Sequence, residues 1–338
     1  MQAGLEGRIH ISLDLETRKA SVQVQRPLAA IQTLLVGKTL EDALACIPLL
    51  FSVCSQAQSF AALLAAQQAL NEPPSTYLRH AQERIVQLET QREHVLRVLM
   101  DWSVWLGLTP NPTLIQQAMR IVPQARQAWF KNGKAFDLQS ELASDDLDIL
   151  ISWEGFLETH VFAMSLDEWS SLNTLRALQA WIDAQATPAA QTLAQLQQQT
   201  LAHLGANTFP LEQESSVLKR QAQQPLLQTA LARYGNGVFT RYLARLVELV
   251  DTPPWQKDWV DAARGSLQHQ IGLNAERRIT RYSILAPTEV NFAVNGVAAA
   301  GLQAILNSAQ PDDLEAQARL WITAVDPCVA YDLELSDA

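Results

Sequence analysis

The chain has 338 residues, 48% of them hydrophobic and 18% charged, with a formal net charge of −10 and three cysteines. That is enough apolar chain to bury an extended core without covalent staples. The three scattered cysteines, Cys46, Cys54 and Cys328, exclude a disulfide framework and fit reduced thiols in a cytoplasmic setting. The acidic balance, with no dense basic patch, argues against nucleic acid or an anionic membrane as a primary partner.

No basic stretch leads into a signal-peptide-like apolar core, and no apolar run reaches the roughly 18 residues of a membrane-spanning helix. Ile9, Ile11, Leu13 and Leu15 alternate with polar residues, and Val22 and Val24 resume the alternation after the polar turn 16–19. This period of two predicts an N-terminal β-hairpin. The alanine-rich stretch from Leu49 to Leu70 has no Gly or Pro and reads as a buried helix carrying Cys54. From Leu78 to Leu106, Ile85, Leu88, Val95, Leu99 and Trp102 recur at helical spacing, which predicts one long amphipathic helix.

Further helices are predicted near 112–130, 166–185, 188–204, 216–233 and 237–250. The runs Leu267 to Leu273 and Ile279 to Leu285 flank Asn274-Ala275-Glu276-Arg277 and predict a second hairpin beyond Pro253-Pro254. Short helices near 297–307 and 312–322 lead to the C-terminal Asp326-Pro327-Cys328. With no repeat and no linker, the reading is a mainly α (α+β) chain, one domain over 1–338, with a helical core and small antiparallel hairpins near both ends.

Asp is favoured as a helix N-cap and Pro at the first helical position, so Cys328 is expected in a first helical turn. There the helix dipole would favour a thiolate, the metal-binding form. A buried structural cysteine explains the tripeptide equally well. Cys46 reads as a small buried hydrophobe. His10, His80, His94, His160, His203 and His269 show no zinc spacing, and neither a phosphate-binding Gly-rich loop nor a Gly-x-Ser-x-Gly elbow is present.

Several segments taken together resemble the large subunit of nickel-iron hydrogenases, and more closely its shortened maturation paralogues of the HoxV/HupK type. Leu5-Glu6-Gly7-Arg8-Ile9-His10 is similar to the family's opening Glu-Gly strand. Phe51-Ser52-Val53-Cys54 resembles its first Cys-x-x-Cys with Phe51 in place of the leading cysteine and Gln58 in place of a following histidine. Ala262-Ala263-Arg264-Gly265 is similar to Ala-Pro-Arg-Gly, and Pro287-Thr288-Glu289-Val290-Asn291 to Pro-Thr-x-x-Asn. Asp326-Pro327-Cys328-Val329-Ala330-Tyr331 resembles the second Cys-x-x-Cys, with Tyr331 and Glu334 substituted for its last cysteine and the terminal histidine. Between about 110 and 235 only helical character is shared.

In the family, four thiolates hold nickel, and two of them also bridge to an iron that carries cyanide and carbon monoxide. The resemblance implies that Cys54 and Cys328 are metal ligands and that Phe51 and Tyr331 leave too few thiolates for nickel. It implies that Arg264, Pro287 and Thr288 line or donate to the cyanides, and that Glu6 matches a proton-relaying glutamate. The function implied is that of a catalytically inactive assembly factor, a scaffold or carrier for an Fe(CN)2(CO) unit with no nickel. Its implied partners are the accessory chaperone that carries this unit, the chaperone's iron-loading partner, and the hydrogenase large subunit. A metal-free interaction protein that stabilises hydrogenase subunits or accessory proteins is the alternative.

Overall fold

A computed structural model of the chain describes residues 7–72, 75–144, 147–251 and 259–336. The predicted N-terminal hairpin forms from β1 (Arg8–Asp14) and β2 (Lys19–Gln25), paired antiparallel with Ile9 opposite Val24 and Leu13 opposite Ala20. Ile9, Ile11 and Leu13 point into the core, as the alternation requires. This sheet holds a third strand that the sequence reading missed. β6 (Ala330–Ser336) lies parallel to β1, with Ile9 opposite Tyr331, so the sheet order is β2-β1-β6 and the sheet is mixed. Parallel neighbours need a long crossover, and here almost the whole chain supplies it.

The second sheet is an antiparallel meander of β3 (Val260–Ala262), β4 (Gly265–Leu273) and β5 (Ile279–Leu285). β4 and β5 form the predicted hairpin, with a register irregularity at Gly272/Leu273. β3 and β4 are joined by the two residues Ala263 and Arg264, since Ala262 pairs directly with Gly265. Pro253 and Pro254 lie outside the described residues.

Helices make up most of the rest, and several depart from the sequence reading in instructive ways. The predicted helix from Leu49 to Leu70 is two helices, Leu40–Leu50 and Ser55–Leu70, interrupted at Phe51 to Cys54. Cys54 therefore does not sit inside a helix but caps one, in a left-handed conformation with φ +54°. The long helix is present as Thr76–Leu96, but it continues as a π-helical segment, Arg97–Trp102, before a last turn at Ser103–Trp105. The expected helix near 166–185 breaks into Leu166–Ser170 and Leu175–Ala184, the second capped by the Thr174 side chain. The one near 216–233 breaks at Pro225, whose ring and missing N–H end the preceding turn.

The helices predicted near 112–130, 188–204, 237–250, 297–307 and 312–322 are present as Pro112–Trp129, Pro188–Gln198, Val238–Val250, Val297–Ser308 and Pro311–Val325, the second ending at Gln198 and not near 204. The sequence reading did not anticipate Asp148–Leu157. Val238–Val250 is buried on nearly every face and runs through the core, where Tyr242 stacks on Trp102 with ring centroids 4.3 Å apart. Helix Ser55–Leu70 lies against β4, so the start of that helix and the tip of the β3–β4 hairpin face the same region.

The last correction concerns Asp326. It does not begin a helix; it ends Pro311–Val325 in a left-handed conformation, φ +65°, and Cys328 lies in the short connection to β6. The helix dipole invoked for its thiol is therefore absent. Asp tolerates the left-handed region at a helix end, and Pro327 cannot continue a helix.

Candidate functional site

Five separate chain segments meet at one small cavity. It is lined by Cys54, Cys328, Arg264, Pro287 and Thr288, together with Arg26, Ser52, Gln58, Phe51 and other apolar residues. Five of the six site residues expected from the sequence are thus brought together. The sixth, Glu6, lies outside the described residues. The cavity measures about 20 Å³, roughly the space of one water molecule.

Cys54 reaches the cavity because its own side chain caps nothing. The first amides of helix Ser55–Leu70 are taken up instead by Glu89, whose carboxylate accepts Gln56 N–H over 3.0 Å and Ala57 N–H over 2.9 Å. This leaves the sulfur free, and Arg264 Nη1 donates to it across 3.2 Å. Arg264 is aimed by its hairpin tip. The next residue, Gly265, has φ +141°, and a Cβ there would fall 2.0 Å from the Ser215 carbonyl oxygen, so only glycine fits.

Thr288 opens the helical turn Pro287–Asn291 just after β5. Its Oγ1 accepts Cys328 N–H over 3.2 Å and lies 2.9 Å from Cys328 Sγ. A threonine hydroxyl has one proton and two lone pairs. It can therefore accept the amide and still donate to the sulfur.

Around Arg264 the charges are dense and paired. Its Nε donates to Asp326 Oδ1 and its Nη1 to Glu93 Oε2, each at 3.2 Å. Asp326 also receives Arg97 Nη2 at 2.6 Å and has Arg245 Nη2 at 3.6 Å. Burial opposes ionisation of Asp326, but the guanidiniums of Arg264, Arg97 and Arg245 outweigh it and hold the carboxyl well below the usual range. Glu93 follows the same logic: burial raises its pKa, and Arg264 and Arg92 bring it below normal. Burial pushes the Cys54 thiol up to about 12; Arg264 works against this, while Glu89 and Glu93 add to it. The free thiol is therefore protonated at neutral pH.

Gln58, which lines the cavity and stands where the resembled motif has a histidine, meets His269 Nε2 over 2.7 Å through its Oε1. His269 Nδ1 lies 2.8 Å from the Tyr282 hydroxyl. A carboxamide oxygen only accepts, so Nε2 carries the ring proton and Nδ1 accepts from Tyr282. Burial pushes the His269 pKa down to about 3, and the ring stays neutral.

Phe51 is buried and lines the cavity, filling space where the resembled motif has a thiolate. Tyr331 is half-buried in β6 opposite Ile9. Cys46 is half-buried and packs against the core, away from the cavity lining. The sequence reading missed Glu89, Glu93 and Arg97. A signal existed: at spacings of four they continue the stripe of the fully buried Ile85, placing charge on the inward face of a helix.

The chemistry on offer is two thiols, each already hydrogen-bonded, with a guanidinium and a hydroxyl beside them. Among the described residues no group of three or more His, Cys, Asp or Glu could hold a metal ion. An ion bound between Cys54 and Cys328 would thus take only two sulfurs from the chain. That suits an iron bringing its own diatomic ligands and does not suit a tetrathiolate nickel site. Among the described residues no helix is long and apolar enough to cross a membrane.

No family model matches the chain. It is 26% identical to the hydrogenase expression/formation protein HupV of Azotobacter chroococcum mcd 1, covering 99% of this chain and 100% of that one. To HupK of Azotobacter vinelandii it is 27% identical with 99% and 100% covered, and to HoxV of Cupriavidus necator 26% with 93% and 92%. Among solved structures, an NAD+-reducing [NiFe]-hydrogenase in the H2-reduced state superposes with a TM-score of 0.59 at 12% identity, 92% of each chain being covered. The Ni-Fe-Se hydrogenase of D. vulgaris Hildenborough in the reduced state gives 0.57 at 12%, covering 92% of this chain and 93% of that one. The fold is that of a nickel-iron hydrogenase large subunit, with small sheets around a helical body. Along nearly its whole length, the chain is similar to the HupV, HupK and HoxV hydrogenase expression/formation proteins, and it carries that large-subunit fold.

Proposed function

We propose that the protein is a non-catalytic hydrogenase maturation factor that transiently holds an Fe(CN)2(CO) unit on its way to the hydrogenase large subunit. The relatives' names and the large-subunit fold support the maturation role. The observation that carries the cargo reading is the pairing of each thiol with a cyanide donor: Arg264 on Cys54 and Thr288 on Cys328. Guanidinium and hydroxyl are suitable donors for a cyanide nitrogen, an anionic acceptor.

In the structure these donors face the sulfurs. On loading, each thiol exchanges its proton for a bond to iron, so two protons leave. The iron keeps its oxidation state and its diatomic ligands. Arg264 and Thr288 are then released to the cyanides. Two protein ligands in place of four leave the cargo easier to hand on. The partners in this reading are the accessory chaperone that carries the same unit, its iron-loading partner, and the large subunit that receives it.

The test is infrared spectroscopy of the protein purified without oxygen from cells that express the maturation machinery. Bands in the cyanide and carbonyl stretching region, lost in Cys54→Ser and in Cys328→Ser, are the expected result. Their absence from the unmodified protein would remove the carrier.

One observation favours the second reading, a metal-free interaction protein. The cavity of about 20 Å³ must open before it takes an iron with three diatomic ligands. That reading expects a Cys54→Ser, Cys328→Ser double variant to leave hydrogenase activity in cells unchanged, whereas the carrier reading expects its loss.

A further inference from the structure

A second concave surface lies in the helical region between about 110 and 235, where no motif assigns a role. It is a cleft of about 570 Å³ between helix Leu175–Ala184, the end of Pro188–Gln198 with the residues that follow it, and helix Pro225–Tyr234. Each of the three contributes polar groups: Arg176 and Gln179 from the first, Gln197 and His203 from the second, Arg233 from the third.

The charge of the cleft is opposite to that of the protein. The chain carries −10, yet none of the residues lining this cleft is acidic. Asp183, on the same helix as Arg176, is engaged by Gln179 Nε2 at 2.8 Å. Arg176 and Arg233 are exposed, and neither appears in any ion pair among the described residues. Most arginines that line the core are paired: Arg220 with Glu248, Arg241 with Glu214, Arg264 with Asp326.

The groups are also held in place. Tyr234 is buried, and its hydroxyl receives Gln197 Nε2 at 3.2 Å. The Arg233 guanidinium lies over the Tyr234 ring, 5.4 Å from its centroid, and the His203 ring meets the same tyrosine edge-on at 5.2 Å. Gln197 and Gln179 bond to each other through their carboxamides at 3.2 Å. A fixed aromatic floor thus carries one arginine and one imidazole, with a second arginine on the neighbouring helix. Planar guanidinium forks are matched to oxyanions with two or more acceptor oxygens.

We infer that this cleft binds a small, multiply charged oxyanion, of the phosphate or polycarboxylate class, held by Arg176 and Arg233 against Tyr234 with His203 beside it. The site is separate from the cysteine cavity, shares no lining residue with it, and does not depend on cargo.

Titration calorimetry of the full chain at fixed ionic strength, with inorganic pyrophosphate and with citrate, tests this. The expected result is saturable 1:1 binding of at least one probe. Arg176→Ala and Arg233→Ala should each weaken it by about 10-fold or more, as loss of a charge-assisted contact does. Arg281→Ala, at an exposed arginine of β5, should leave it within about twofold of the unsubstituted protein, the precision of such a comparison. Pyrophosphate binding alone identifies a phosphoryl ligand, citrate alone a carboxylate ligand, and both the shared chemistry. No saturable binding of either probe at millimolar concentration overturns the inference. So does binding that survives the Arg176→Ala, Arg233→Ala double variant, shown to be folded by circular dichroism.

Discussion

Thr288 grips Cys328 at two points, its Oγ1 taking the amide proton at 3.2 Å and facing the sulfur at 2.9 Å. Thr288→Val keeps the side chain's shape and removes both contacts, leaving a largely enclosed amide without its acceptor. The loss should be about 1–3 kcal/mol of unfolding free energy, read from denaturant midpoints. Thr288→Ser should recover most of it. If valine and serine behave alike, the hydroxyl is not what holds Cys328.

The thiol of Cys54 should be unreactive in the folded protein. With its pKa pushed up to about 12 by burial, little thiolate exists at pH 8, and iodoacetamide should modify it on the order of 1,000-fold more slowly than in the unfolded chain. The folded value lies above the unfolded one, so between the two the native state keeps a proton that the unfolded chain has lost. This group's contribution to stability is complete below about pH 8.5 and is lost as pH rises toward the folded value. Peptide mass spectrometry of alkylation against pH checks the first statement, and urea unfolding between pH 8 and 11 the second.

Glu89 and Cys54 divide the work of one helix terminus. Glu89→Ala removes the acceptor for Gln56 and Ala57 N–H and should destabilise by about 1–2 kcal/mol. Amide exchange at those two residues should accelerate first. Glu89→Gln keeps one of the two acceptor oxygens, sets an NH2 against the other amide, and removes a charge that raises the Cys54 pKa, so Cys54 alkylation should quicken while one of the two caps is retained. Equal effects on both readouts in the two variants would count against a capping role.

Asp326 is the carboxylate on which Arg97, Arg264 and Arg245 converge. Asp326→Asn leaves buried guanidinium charge uncompensated and should cost about 3–5 kcal/mol. Its depressed folded pKa sets the pH sign: the stabilisation is present above the unfolded value near 3.9 and is lost as pH falls through the folded value below it. In the variant, the slope of stability against pH below about 4 should flatten. Acid titrations followed by tryptophan fluorescence show whether it does.

How much of this was legible in the sequence depended on how local each signal was. The β1–β2 and β4–β5 hairpins followed from alternation, because that pattern is written within a dozen residues. Cys54, Cys328, Arg264, Pro287 and Thr288 were found through motif order, which survives although the sequence says nothing of their approach in space. Asp326-Pro327 misled, because the same two residue types that open a helix also suit the exit from one, and only the preceding helix decides which applies. The break at Cys54 was hidden by an alanine-rich run whose propensity is helical throughout; a carboxylate on another helix sets where that helix begins. The parallel strand β6 is non-local by nature, and nothing within Ala330–Ser336 names β1 as its neighbour.

The pairing of β6 with β1 fixes when the cysteine cavity comes into being. Arg8 and Asp332, which touch across these strands, are 324 positions apart. During synthesis the Cys54 half would fold early, with a single sulfur to offer, and Cys328 would reach its place only after the closing strand has docked, a slow long-range event. Until then the growing polypeptide has no paired-thiol cavity, because its two cysteines meet only once the closing strand is in place.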